Sequence, residues 1–170
     1  MAKSEVEELT EATVATGGIL AKLYFDMQSE NEDDLQPLMA DLINNKLLKA
    51  SGVVYCYGSI DEPIKSGDAY VTNAAVVILV KDFSALINVA FNFAPAGVEI
   101  LRPEKEYMLR QGELQSIILD IAQISVDYSR YILSRVMSKS DYDKIINDIK
   151  NREELGRKLV KKEGKDDVRQ

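Results

Sequence analysis

The most constraining stretch of this chain is Ala-Ala-Val-Val-Ile-Leu-Val at residues 74–80, an unbroken apolar run between Asn73 and Lys81. It is far shorter than the roughly 20 apolar residues a membrane-crossing helix needs. Its β-branched content favours a strand. A strand that is apolar on both faces must lie inside a sheet with cover on each side. Residues 69–81 therefore predict a long central strand, and the rest of the chain must supply its neighbours and its cover.

The neighbours are short. Residues 53–60 (VVYCYGSI) are rich in β-branched and aromatic types and read as a strand. Pro63, Ser66 and Gly67 mark the connector 61–68, which suits an antiparallel hairpin with a longer loop. Residues 82–94 revert to a helical period, with Asp82 as N-cap and Phe83, Leu86, Ile87, Ala90, Phe93 and Ala94 on the inner face. Pro95-Ala96-Gly97 ends that helix, and residues 98–101 form a short third strand stopped by Pro103.

The cover is helical. Val6, Leu9, Thr13, Thr16, Leu20, Leu23 and Met27 recur at three- and four-residue steps, which predicts a helix over 5–27. Ser4 and Glu7 form its capping box. Gly17-Gly18 is the weak point, and the alternative there is a break into two shorter helices. A second helix over 33–49 is capped by Asp33 or Asp34, which puts Pro37 in its first turn. The strongest helix spans 111–138 and carries two stripes: one through Leu114, Ile117, Ile118, Ile121, Ile124, Ser125, Tyr128, Tyr131 and Ile132, the other through Leu119, Ala122, Val126, Leu133 and Met137. Two stripes mean burial on both sides. Ser140 and Asp141 cap a last, highly charged helix to about 162, followed by a frayed tail.

The expected fold class is thus α+β: a small antiparallel-containing sheet of about three strands packed with five helices, in the order α-α-β-β-α-β-α-α. A chain of 170 residues matches one domain, here 1–138, with 139–170 as a charged C-terminal helix and tail.

Residues 33–102 resemble the α-β-β-α-β part of ferredoxin-like modules such as ACT domains and the ligand-binding domains of leucine-responsive regulators. The residues that carry this are the helix-Gly-Val entry KASGVV and the V-K-D-F-S-A-L at the end of the second strand. The resemblance implies an amino-acid-binding regulatory module. Such modules begin with a strand followed by a glycine-containing ligand loop, and residues 1–27 read as a helix instead. No ligand residue is therefore carried over. The whole chain also resembles an uncharacterised archaeal protein family.

Composition removes much chemistry. There is no His, so imidazole-based catalysis and most zinc sites are excluded. A lone Cys cannot make a CxxC pair. No cofactor is expected. Residues 1–50 carry 4 basic and 10 acidic residues, and later basic residues are interleaved with acids, which argues against nucleic acid. The N-terminus lacks a basic region followed by an apolar one, so a cytoplasmic location is expected and no membrane partner.

Four groups stand out. Tyr55 and Tyr57 share one face of a strand, either as an aromatic platform for a planar ligand or as cover for the sheet, with Cys56 facing the other way. Ser84, Asn88 and Asn92 make a polar stripe, to bind a ligand or to face solvent. Asp61, Glu62 and Asp68 offer carboxylates to a hard cation or to acid-base work, or rim a solvated turn. Leu119, Ala122, Val126, Leu133 and Met137 are the candidate subunit interface, since a two-fold dimer is the commonest assembly. The resulting expectation is a non-enzymatic homo-oligomer, a dimer, with a regulatory or scaffolding role and a small-molecule site. The alternatives are a metal-dependent enzyme around Asp61, Glu62 and Asp68, and a nucleic-acid-associated protein acting through the basic C-terminal helix.

Overall fold

The computed structural model describes residues 4–148, 150, 151 and 154. The described residues group into two compact units that divide between Asp120 and Ile121. The element order is α1 (Glu5–Ala15), β1 (Ile19–Ser29), α2 (Glu32–Asp41), β2 (Val53–Ile60), β3 (Ile64–Ser66), β4 (Ala69–Val80), α3 (Phe83–Phe93), β5 (Gly97–Arg102) and α4 (Gln111–Val136). Residues 139–148 are again helical. The C-terminal parts of the expected last helix and tail, including Arg157, Lys161 and Lys165, lie outside the described residues.

Among the described residues the sheet has five strands, where the sequence predicts about three, and every pairing is antiparallel. Its order is β2-β4-β1-β5, with β3 also paired to β4. β4 does lie inside the sheet, as its apolar run predicts. It pairs with β1 from Ile19↔Val80 to Ser29↔Tyr70 and with β2 from Val53↔Val80 to Ile60↔Ala74.

The main correction concerns the N-terminus, which makes a helix and then a strand rather than one helix over 5–27. Ser4 caps α1 as expected, accepting the Glu7 N–H at 3.3 Å. The helix stops at the glycine pair, where Gly17 takes φ +102° and a residue with a Cβ would be strained. Beyond it, Ile19, Ala21, Leu23 and Phe25 are buried while Tyr24 and Asp26 face outward, the two-residue period of a strand. The Leu20, Leu23 and Met27 spacing fits a helix equally well, but β4 and β5 offer backbone partners on both edges.

Three smaller corrections follow. The cap of α2 is Asn31, whose Oδ1 accepts the Asp33 N–H at 3.3 Å, so Pro37 falls in the second turn. The helix expected to 49 gives way to a π-helical stretch at Leu42–Leu47. The 61–68 connector is not all loop, because Ile64–Ser66 pairs with Ala69–Val71 across Gly67-Asp68.

One face of the sheet carries the core. Ala21, Leu23, Val76 and Ile78 are fully buried there, under Met39 and Leu47 from the α2 segment and Ala85, Leu86 and Val89 from α3. Tyr55, Leu79 and Leu20 form a cross-strand row on the opposite face. α1 meets that row where Thr10 Oγ1 and Tyr55 Oη share a hydrogen bond of 2.8 Å.

Candidate functional site

A cleft of about 290 Å³ opens where the α1–β1 turn, the β4–α3 junction, the segment after β5 and the first turns of α4 converge. Each wall is placed by a local feature. Gly18 allows the end of α1 to press on the end of β4: an added Cβ would lie 2.5 Å from Thr13 Cγ2 and 2.8 Å from the carbonyl oxygens of Thr13 and Val80. Asp82 follows β4 and caps α3, its Oδ1 accepting the Ala85 N–H at 2.8 Å. Glu113 folds back to accept the Arg110 N–H at 2.8 Å, which caps α4.

Tyr107 joins these parts. Its hydroxyl donates to the Gly17 carbonyl at 2.6 Å, and its ring lies 5.7 Å from that of Phe83. Burial pushes its phenol above the ordinary tyrosine range. It is thus a fixed neutral donor rather than a base. Ser84 Oγ donates to Asp120 Oδ2 at 3.3 Å on the same side. With its two lining carboxylates, Asp82 and Glu113, already hydrogen-bonded and no imidazole, the cleft is equipped to bind and orient a small polar molecule, and it lacks a poised nucleophile.

The structure brings only Ser84 of its predicted stripe to this cleft. Asn88 and Asn92 are exposed on α3, where Asn92 Nδ2 donates to the Asn88 carbonyl at 2.8 Å. Tyr55 and Tyr57 do share one face, with ring centroids 5.9 Å apart and planes at 26°. Tyr55 is tied to Thr10, while Tyr57 stays 58% exposed. Cys56 turns to the core side, and burial pushes its thiol upward, the reverse of activation.

Asp61 ends β2. Its N–H donates to the Asn73 carbonyl at 2.8 Å, and its carbonyl accepts from Thr72 Oγ1 at 2.7 Å. It lines a second cavity of about 430 Å³ with Tyr24, Asp26 and Asn73, whereas Glu62 and Asp68 are exposed outside that lining. Among the described residues no group of three or more His, Cys, Asp or Glu side chains could hold a metal ion.

Tyr107, Glu113 and Ser116 were not singled out in the sequence. Tyr107 sits in a charged linker with no periodicity, and only its distant partner Gly17 gives it a role.

Along α4, Ile117 is buried, but most of its large apolar residues are not. Of the predicted interface, Leu119 is 69% exposed and Ala122 is exposed, while Val126, Leu133 and Met137 are half-buried. The other stripe is also open, with Ile118 58% and Tyr128 66% exposed. Among the described residues no helix is long and apolar enough to cross a membrane.

No curated protein and no solved structure matches the chain. An ACT-like relationship is not among the matches. The MJ0538 family matches residues 20–161, from the start of β1 to beyond α4, and the chain belongs to that family.

Proposed function

We propose that this chain is a non-enzymatic cytoplasmic protein that assembles with itself through α4 and serves a regulatory or scaffolding role, holding a small ligand in the cleft beside Asp82 and Tyr107. The observation that carries this reading is the open apolar surface of α4. Monomers rarely expose contiguous apolar patches beyond a few hundred Å², and a 26-residue helix with Leu114, Ile118, Ile121, Tyr128 and Ile132 all exposed calls for a partner.

The chain order supports reading residues 19–102 as a ferredoxin-like β-α-β-β-α-β module with β3 added to its hairpin. The strand that the sequence reading lacked is β1. The likeness to amino-acid-binding modules stops there, because Glu30-Asn31 leads from β1 to α2 without a glycine. The cleft volume is near the lower end of ligand pockets, roughly 300 Å³.

The test is native mass spectrometry with sedimentation velocity, comparing the wild type with Ile118→Glu/Ile121→Glu. Both side chains are exposed, so the variant should keep its circular dichroism. A multimeric wild type and a folded monomeric variant are the expected outcome. A wild type that is monomeric across the concentration range would overturn the reading. The same spectra weigh any retained small molecule.

A further inference from the structure

We propose that α1 is a movable cover: it swings about Gly17 as a unit while the sheet stays folded, and in the open form Tyr55 and Leu79 join Tyr57 in one aromatic and apolar surface.

The helix has a shallow seat. Of Glu5–Ala15 only Thr10 is buried, and it is polar. Val6 is 53% and Leu9 46% exposed, so the large apolar residues of its first turns add little burial. Thr10 Oγ1 donates to the Val6 carbonyl at 2.6 Å, which makes Tyr55 the donor in the 2.8 Å bond between the two hydroxyls. When the helix leaves, both hydroxyls reach water and little apolar area is lost. Ser4, Thr13 and Thr16 hold hydrogen bonds within the α1 segment itself. Among the described residues, the core on the other face of the sheet draws on no residue of α1.

The pivot is built where the helix ends. Gly17 takes φ +102°, a region that glycine enters without strain. Tyr107 grips the Gly17 carbonyl at 2.6 Å, and Gly18 is buried. The clamp therefore holds the chain on the body side of the helix and leaves residues 5–15 beyond it.

What the cover hides is continuous with what already lies open. Tyr55, Leu79 and Leu20 form one cross-strand row, and Tyr57, Val77 and Lys22 form the next row on the same face. α1 runs over the first row, with Thr10 on Tyr55 and Thr13 beside Gly18 at the end of β4. Leu79 is fully buried, whereas Tyr57 is 58% exposed with its ring 5.9 Å from that of Tyr55. The position of α1 thus decides whether the stacked tyrosines are half covered or wholly open. The occupant that the seat is shaped for is this helix, which closes the face in cis.

The experiment uses native-state hydrogen exchange and a peptide competitor on the full-length chain. In the wild type, amides of residues 9–15 should exchange at least about tenfold faster than those of β1 and β4. Their rates should change little in low urea, because the opening exposes little surface. Equal protection of α1 and β4 would overturn the inference. Thr10→Asp sets a charge against Tyr55 and should hold the cover open. The α1 amides then lose protection while β1 and β4 keep theirs. Global unfolding of this variant would overturn the inference, because the helix would then be part of the cooperative fold. A fluorescein-labelled peptide of residues 1–17 should bind Thr10→Asp severalfold more tightly than it binds the wild type, whose seat is filled in cis at an effective concentration of about 1 mM. Fraying of α1 in place would also speed its exchange but leaves no vacant seat, and the peptide separates the two. Equal binding to both chains, or binding to neither, would overturn the inference.

Discussion

Tyr107 and Gly17 are 90 positions apart and joined by one hydrogen bond of 2.6 Å, so a single hydroxyl ties the segment after β5 to the turn before β1. Replacing Tyr107 with Phe keeps the ring against Phe83 and removes only that bond, at a cost of about 1 kcal/mol. The pH dependence has a definite sign. Burial raises the folded-state phenol pKa, so its stabilising contribution is complete below the unfolded value of about 10 and is lost as pH rises through the folded value. Urea titrations across the alkaline range should therefore show a shallower loss of stability for Tyr107→Phe than for the wild type. Nothing in the linker around Tyr107 marks it as special. Ser84 was legible as the first member of the Ser84, Asn88 and Asn92 stripe, whereas the role of Tyr107 exists only once two distant segments meet.

Among the elements, those with one dominant pattern were readable and β1 was not. β2, β4, α3 and α4 lie close to their expected bounds, because β-branched runs, the Asp82 cap and a long apolar stripe each point one way. In β1 the residues Leu20, Leu23 and Met27 fit a helix while Ile19, Ala21, Leu23 and Phe25 fit a strand. Local pattern cannot rank the two. Pairing with β4 and β5 does, and that information is not local. The Gly17-Gly18 pair was the one available signal, and its weight is measurable. Gly18→Ala would press a methyl group onto two backbone oxygens, and a destabilisation of about 1–3 kcal/mol is expected from the shift in thermal or urea midpoint. A change near zero would show that α1 does not need to pack so closely on β4.

At the scale of the whole molecule, strand order decides where stability concentrates. β4 and β1 have partners on both edges, while β2 and β5 are the outer strands of the path. Native-state hydrogen exchange should find the slowest amides in β1 and β4, opening only with global unfolding, and faster exchange in β5. Equal protection across all four would contradict this. The sequence anticipated β4 as central through its composition, but beyond the Gly17-Gly18 break nothing marked the first 30 residues as the source of the other inner strand.

That placement has a consequence for biosynthesis. Ser29 pairs with Tyr70 and Ile19 with Val80, and the other edge waits still longer, since Tyr24 pairs with Gly97 and Leu20 with Arg102. At about 5–20 residues per second, β1 leaves the ribosome several seconds before either neighbour has been made. Ile19, Leu23 and Phe25 are uncovered through that interval, and a nascent chain halted before residue 97 keeps one edge of β1 open to any other strand. The strand best protected in the finished protein is the one that goes longest without a partner while the chain is being made.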